Sequence, residues 1–227
     1  MLSIEAFAQN KAQDWPNLQR FKNANAQLIG DNSSIDGKKA VKREKRVVFM
    51  GNSITEIWAS LRPDFFAANK YIGRGISGQT TPQMLIRFKQ DVVNIGATTV
   101  VILAGTNDIA GNTGESSLEM IMDNISSMCE IARANKIKVI LCSVLPAHRY
   151  SWSKDKRPDI LIPELNKKIE KYAKENKIKY VDFFSAMVDK ENPNNSNGLP
   201  ISLSQDGVHP NDAGYEIMER IIEKYLK

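Results

Sequence analysis

The sequence predicts an α/β protein: a three-layer α/β/α sandwich on a five-stranded parallel sheet. Three observations predict it. Short apolar runs recur along the chain, stretches of helical period lie between them, and turn residues stand where the runs end. An unbroken apolar run is the mark of a strand covered on both faces. Alternation of such runs with amphipathic helices gives a parallel sheet with helices on both sides, and right-handed crossovers leave the three-layer arrangement.

The elements follow in order. Residues 15–28 carry Trp15, Leu18, Phe21 and Leu28 on one face of a short helix, with Pro16 near its start. Residues 29–40 are turn-rich and read as a linker. Val47-Val48-Phe49-Met50 is the first strand, broken by Gly51-Asn52-Ser53, and residues 54–61 can form a helix. Lys70-Tyr71-Ile72 is a weaker second strand that runs into the glycine-rich stretch Gly73 to Gly78. Thr81-Pro82 opens a helix whose stripe is Leu85, Phe88, Val92 and Ile95. Thr98 to Leu103 is the third strand and the best in the chain. Ser116 and Glu119 have capping-box spacing before a long helix with Ile121, Ile125, Met128 and Ala132 inward. Lys138 to Leu145 is the fourth strand, and Leu161, Leu165, Ile169 and Tyr172 form the next stripe. Tyr180 to Phe183 is a short fifth strand, and Asn211 can cap a last helix carrying Ile217, Met218, Ile221 and Ile222. The reading divides the chain into an extension, 1–46, and one domain, 47–227.

Composition narrows the function. With 227 residues, 42% of them hydrophobic, the chain can bury a core without staples and is not disordered. No run approaches the roughly 20 apolar residues of a membrane-spanning helix. Cys129 and Cys142 are too few for a disulfide framework and read as small buried apolar residues. With two scattered histidines beside them, no built-in metal is expected. The net charge of +5 is local: Lys38 to Arg46 holds six bases and one acid, and the remainder balances at 25 against 25. A nucleic-acid groove spreads positive charge over a face, so the stretch reads as a solvated lead-in to the first strand and no nucleic-acid partner is expected. Ala6-Phe7-Ala8 has the small-x-small form of a signal-peptidase site without a basic start or a long apolar core. The expectation is a secreted or periplasmic protein, with a cytoplasmic one as the alternative.

In parallel sheets the working site lies at the carboxyl ends of the strands. Ser53 follows the first strand in GNSIT, Gly78 the second in GRGISGQTT, and Asn107 the third in GTND. Asp206 and His209 precede the last helix in DGVHP. A serine hydroxyl becomes a nucleophile when a histidine takes its proton, and the ring needs an acceptor on its other nitrogen. Asp206 stands three residues before His209 and can supply it. The N–H groups of Ser53 and Gly78 and the amide of Asn107 suit an oxyanion. Each block alone has a bland reading as a helix cap or turn. Their joint occurrence on strand-end loops is what points to acyl transfer.

From about Val47 onward these four blocks resemble the SGNH hydrolase superfamily, the GDSL-like lipases, esterases and acetylhydrolases. The wording RGISGQTT and DGVHP is most similar to its platelet-activating-factor acetylhydrolase-like and carbohydrate acetylesterase members. The resemblance implies a flavodoxin-like fold, catalytic residues Ser53, Asp206 and His209, and an oxyanion hole of Ser53, Gly78 and Asn107. It implies no cofactor. Two positions depart from the family pattern: Asn52 stands where Asp is usual, and Gly73 where many relatives have Asn.

His148, Tyr150 and Trp152 follow the fourth strand and read as a wall of the substrate pocket, with faces that suit a sugar ring. His148 is the rival base, without a carboxylate at the spacing of Asp206. Trp58 reads as packing. The leading expectation is a serine esterase acting on a short acyl ester, an O-acetyl group on carbohydrate. The alternative is a catalytically weak carbohydrate-binding or scaffold protein on the same fold. A phosphate-binding flavodoxin-like domain is disfavoured because no loop carries the GxxxxGK[ST] cradle. The oligomeric state stays open.

Overall fold

A computed structural model describes residues 14–30 and 45–226. The five strands are β1 (Val47–Gly51), β2 (Ile72–Gly75), β3 (Thr99–Leu103), β4 (Lys138–Cys142) and β5 (Lys179–Val181). All pair in parallel in the order β2-β1-β3-β4-β5. The helices are α1 (Lys22–Gly30), α2 (Ser53–Leu61), α3 (Pro63–Ala68), α4 (Thr81–Phe88), α5 (Thr106–Ile109), α6 (Leu118–Ala134), α7 (Pro158–Glu175), α8 (Phe183–Met187) and α9 (Asp212–Leu226). This is the expected sandwich.

Strand alternation sorts the core into two layers. Val48, Met50, Val100, Ile102 and Leu141 face α4, α6 and α7. Val47, Phe49, Val101, Leu103 and Ile140 face α2, α3, α8 and α9. Both faces are dry, as the continuous apolar runs require. Trp58 is 1% exposed among Phe49, Phe65, Phe66 and Tyr215, so it packs. Cys129 and Cys142 are free and buried. No described helix is long and apolar enough to cross a membrane.

The register aligns the strand ends. Gly51 pairs with both Gly75 and Leu103, so the loops after β1, β2 and β3 leave one edge together. Gly75 lets α2 lie against β2, since a Cβ there would collide with the backbone nitrogen of Glu56.

Five local expectations need correction. The second strand, expected over Lys70 to Ile72, runs Ile72–Gly75, because Lys70 N and Tyr71 N close α3 on the Ala67 and Phe66 carbonyls. The fifth, expected over Tyr180 to Phe183, ends at Val181, because Asp182 caps α8 by accepting from Ser185 N. The helix expected over 15–28 begins at Lys22, and its buried residue is Asn25. The carbonyls of Trp15, Pro16 and Leu18 are taken by the side-chain amides of Gln83, Gln79 and Gln90, which holds this stretch in turns. The cap of α6 is Ser117, whose hydroxyl accepts from Met120 N, because Glu119 pairs with Lys168 instead of closing a capping box with Ser116. The fourth strand ends at Cys142, where Asn166 takes over the bonds of Val144. Of the basic run, Lys45 donates to the Leu226 carbonyl and Arg46 to that of Ile95. Residues 1–13, with the Ala6-Phe7-Ala8 motif, and 31–44, with most of the linker and basic run, lie outside the described residues.

Candidate active site

The site grows from the end of β1. Asn52 caps α2, and its Oδ1 accepts from Ile54 N at 3.0 Å. A carboxamide oxygen serves this cap as a carboxylate would, which accounts for Asn at the usual Asp position. Ser53 is the first residue of α2, where an N–H has no acceptor within the helix.

Ser53 Oγ lies 2.8 Å from His209 Nε2, and His209 Nδ1 lies 2.6 Å from Asp206 Oδ2. The Asp206 side chain also receives the N–H groups of Val208 and His209 at 2.9 and 2.8 Å on Oδ1. Burial alone would raise the Asp206 carboxyl. The bonds from the His209 ring and from these N–H groups outweigh it and hold the carboxyl at about 2. An ionised carboxylate only accepts, so Nδ1 carries the ring proton and Nε2 is left to accept from Ser53.

The turn with His209 is seated on α2 from behind. Tyr215 on α9 donates its hydroxyl to Ile54 O at 2.8 Å. Glu219 receives Trp58 Nε1 at 3.2 Å and is clamped by Arg62 Nε and NH2 at 3.0 Å each. These contacts fix the start of α9, and with it His209, relative to Ser53.

On the other side, the loop after β2 turns at Gly78, whose φ of +77° favours a residue without a Cβ. Asn107 lies on α5 and is 4% exposed. Its Nδ2 donates one hydrogen to Gln79 O at 2.9 Å, which leaves its second N–H available. Asp108 receives Thr81 N at 2.9 Å and Thr81 Oγ1 at 2.5 Å, and so anchors α4 to the loop after β3. Burial raises its carboxyl against the pull of these bonds. The structure therefore joins Ser53, His209 and Asp206 by hydrogen bonds, and places Gly78 and Asn107 on neighbouring strand-end loops.

Several residues that brace this loop escaped the sequence reading. Glu56 receives Ser77 N at 2.7 Å, Ser77 Oγ at 2.5 Å and Arg20 NH2 at 2.7 Å. Arg87 is fully buried. It donates to Gln79 Oε1 at 2.6 Å, Asp91 Oδ2 at 3.0 Å, Gly51 O at 3.0 Å and Arg74 O at 2.9 Å. One guanidinium thus ties the ends of β1 and β2 to the loop with Gly78. The available signal was an Arg–Asp pair at i, i+4 between Met84, Phe88 and Val92 on an apolar helix face. Thr80 and Gln83 form the capping box of α4, at the spacing that marks one in a sequence.

The expected pocket wall is partly as drawn. Trp152 is 48% exposed, and its Nε1 donates to Asn112 Oδ1 at 3.1 Å. His148 Nδ1 lies 2.9 Å from the Ser196 carbonyl and, among the described residues, has no bond to a carboxylate. It lines a cavity of about 610 Å³ that also reaches Asp206 and Gly207. Tyr150 is a correction. It is 1% exposed and lies beneath Trp152, with ring centroids 5.0 Å apart. Its ring supports the wall and does not face a ligand.

The comparisons agree with this architecture. The profile of the GDSL-like Lipase/Acylhydrolase family matches residues 49–217. Among curated proteins no match was found. Among solved structures, one described as an acylhydrolase of Bacteroides fragilis is 46% identical, with a TM-score of 0.85 over 94% of this chain and 97% of its own. A GDSL-like lipase of Bacteroides thetaiotaomicron is 47% identical, with a TM-score of 0.82 over 93% of this chain and 97% of its own. An acetyl xylan esterase of Geobacillus stearothermophilus shares the fold at 18% identity, with a TM-score of 0.63 over 82% of this chain and 96% of its own. The chain belongs to the GDSL-like lipase and acylhydrolase family, and is a carboxylic ester hydrolase of the SGNH type.

Proposed function

We propose that the protein removes short acyl groups, specifically O-acetyl groups on carbohydrate, through a Ser53–His209–Asp206 triad and an acyl-enzyme. The unbroken run of short contacts from Asp206 through His209 to Ser53 carries this reading. His209 Nε2 takes the Ser53 proton as Oγ attacks the ester carbonyl. The oxyanion is received by the N–H groups of Ser53 and Gly78 and by the free N–H of Asn107. The imidazolium returns its proton to the departing sugar hydroxyl. Water, activated by the same ring, then releases acetate.

A small acyl group is supported by the hydrogen-bonding side chains that line the two flanking cavities, Asn192, Asn195 and Ser204 in one and Asn17, Gln79 and Gln83 in the other. The retained cap at Asn52 argues for an enzyme rather than a weakened binding protein. The test is hydrolysis of p-nitrophenyl acetate. Ser53→Ala should lower kcat by at least about 10³-fold, leaving the residue due to binding and oxyanion donors. Hydrolysis by the variant at the wild-type rate would reject the assignment.

A further inference from the structure

The segment before β1 lies outside the family match, yet it reaches the loop that carries Gly78. Gln83 Nε2 donates to Trp15 O and Gln79 Nε2 to Pro16 O, both at 2.7 Å. Further along, Asn25 receives Arg74 NH2 on Oδ1 at 2.7 Å and donates through Nδ2 to Asp91 Oδ1 at 2.6 Å. The Phe21 ring lies 4.6 Å from the Arg74 guanidinium. The segment is therefore bolted to the domain at several points. Its Trp15 indole nonetheless stays 47% exposed.

Trp152 approaches the same place from the loop after β4. Its Nε1 bonds Asn112 Oδ1 at 3.1 Å, and Asn112 Nδ2 bonds Gly78 O at 3.1 Å. Stacking on buried Tyr150 fixes its plane. The Trp152 indole thus connects to Gly78 through two hydrogen bonds, and the backbone of Trp15 and Pro16 is held by the side chains of Gln83 and Gln79. The cavity beside them, about 480 Å³, is lined by Trp15, Asn17, Gly78, Gln83, Asn112 and Thr113 among others. Among the described residues no cation lines it, and the one acid, Asp14, already receives Leu18 N and Gln19 N at 2.8 and 2.9 Å. The described lining offers neutral donors and acceptors rather than a charge to pair with a phosphate or carboxylate. Aromatic faces with carboxamides suit a neutral polyol ring, whose C–H face stacks and whose hydroxyls bond.

We propose that Trp15, with the carboxamides of Asn17, Gln83 and Asn112 in the cavity beside Gly78 and with Trp152 bonded to Asn112 at its edge, forms a subsite for a neutral sugar ring of the alcohol half of the substrate. This rests on the esterase reading and adds a specificity-determining residue from the N-terminal segment. The test uses acetylated xylotriose and p-nitrophenyl acetate with the full chain. Trp15→Ala should raise KM for acetylated xylotriose about ten-fold with little change in kcat, the size of one lost aromatic contact. Trp15→Phe should recover most of that loss, and Ile86→Ala, an equally exposed apolar side chain elsewhere on the surface, should have none of it. Binding of acetylated xylotriose to the Ser53→Ala protein, followed by calorimetry, should weaken by the same factor when Trp15→Ala is added. An unchanged KM in Trp15→Ala overturns the subsite, as does absence of calorimetric binding. Either result leaves the esterase reading intact as long as wild type cleaves p-nitrophenyl acetate and Ser53→Ala does not.

Discussion

The two sides of the proposed catalytic centre are built in opposite ways. The imidazole side is local and wet. Ser204, Asp206, Gly207, Val208 and His209 bond to one another inside one turn, and the Asp206 side chain is half exposed. The oxyanion side is long-range and dry. Gln79, Arg87, Asn107 and Asp108 are buried, and their bonds join residues 27, 28 and 36 positions apart. Donors for an oxyanion must be held in place before charge develops, and buried cross-bracing achieves that. A general base has only to reach its proton, and a short turn suffices. The consequence is a separation of effects. Changes on the imidazole side should cost activity, and changes on the oxyanion side should cost activity and stability together.

The largest effect is expected at Asp206. Asp206→Asn removes the acceptor that fixes the ring tautomer, and kcat/KM for p-nitrophenyl acetate should fall about 10³–10⁴-fold. Stability should change far less, and in a pH-dependent way. The Asp206 carboxyl is held at about 2, below its ordinary 3.8. The stability it contributes is therefore present above 3.8 and is lost as pH falls through about 2. Thermal unfolding should place wild type slightly above Asp206→Asn at neutral pH, with the gap closing on acidification. A gap as wide as that of the core variant below would erase the distinction between the two sides.

Arg87 tests the dry side. Arg87→Met takes one donor from each of the Gly51 and Arg74 carbonyls, Gln79 Oε1 and one Asp91 oxygen in a site closed to water, with Gly51 O keeping Ile76 N. Removing one partner of a buried ion pair costs about 3–5 kcal/mol, on the order of 10 °C in unfolding midpoint for a chain of this length. Activity should fall with it, because Gln79 also receives Asn107. Arg87→Lys keeps the charge without the fork that reaches four acceptors, so it should fall between the two. Full activity at unchanged stability in Arg87→Met would show that the loop holds itself.

The same division governs what could be read from the sequence. DGVHP was legible because its bonds run between residues three or fewer apart, so spacing alone implies them. The strands β1, β3 and β4 were legible because each is an apolar run buried on both faces, whereas β2 and β5, short and part-exposed, were misplaced by one to three residues. Arg87 and Gln79 were not, since nothing near them in the chain announces Gly51 O or Pro16 O as partners. Residues 15–28 misled for a related reason. Their apolar spacing fits a helix, but distant amides claim the carbonyls and leave Trp15 at the surface. Periodicity reports local preference, and here side chains some 60 to 70 residues away override it.

Tyr150 gives the smallest effect and the finest distinction. It is as dry as Arg87, yet its hydroxyl is without a hydrogen-bond partner among the described residues. Burial pushes that hydroxyl far above the usual phenol range, with the nearby charge of Asp108 adding to it. An unpaired buried hydroxyl forfeits hydration worth about 1–3 kcal/mol. Tyr150→Phe removes the group and keeps the ring that Trp152 stacks on, so stability measured by unfolding should hold or rise by up to about 1 kcal/mol. KM for acetylated xylotriose should stay at the wild-type value, because the ring and not the hydroxyl supports the wall. A rise in KM would mean that the hydroxyl reaches the substrate, as the sequence alone suggested. Burial without cross-bracing would then mark a functional group rather than a packing element, and dryness would no longer separate the two sides of the site.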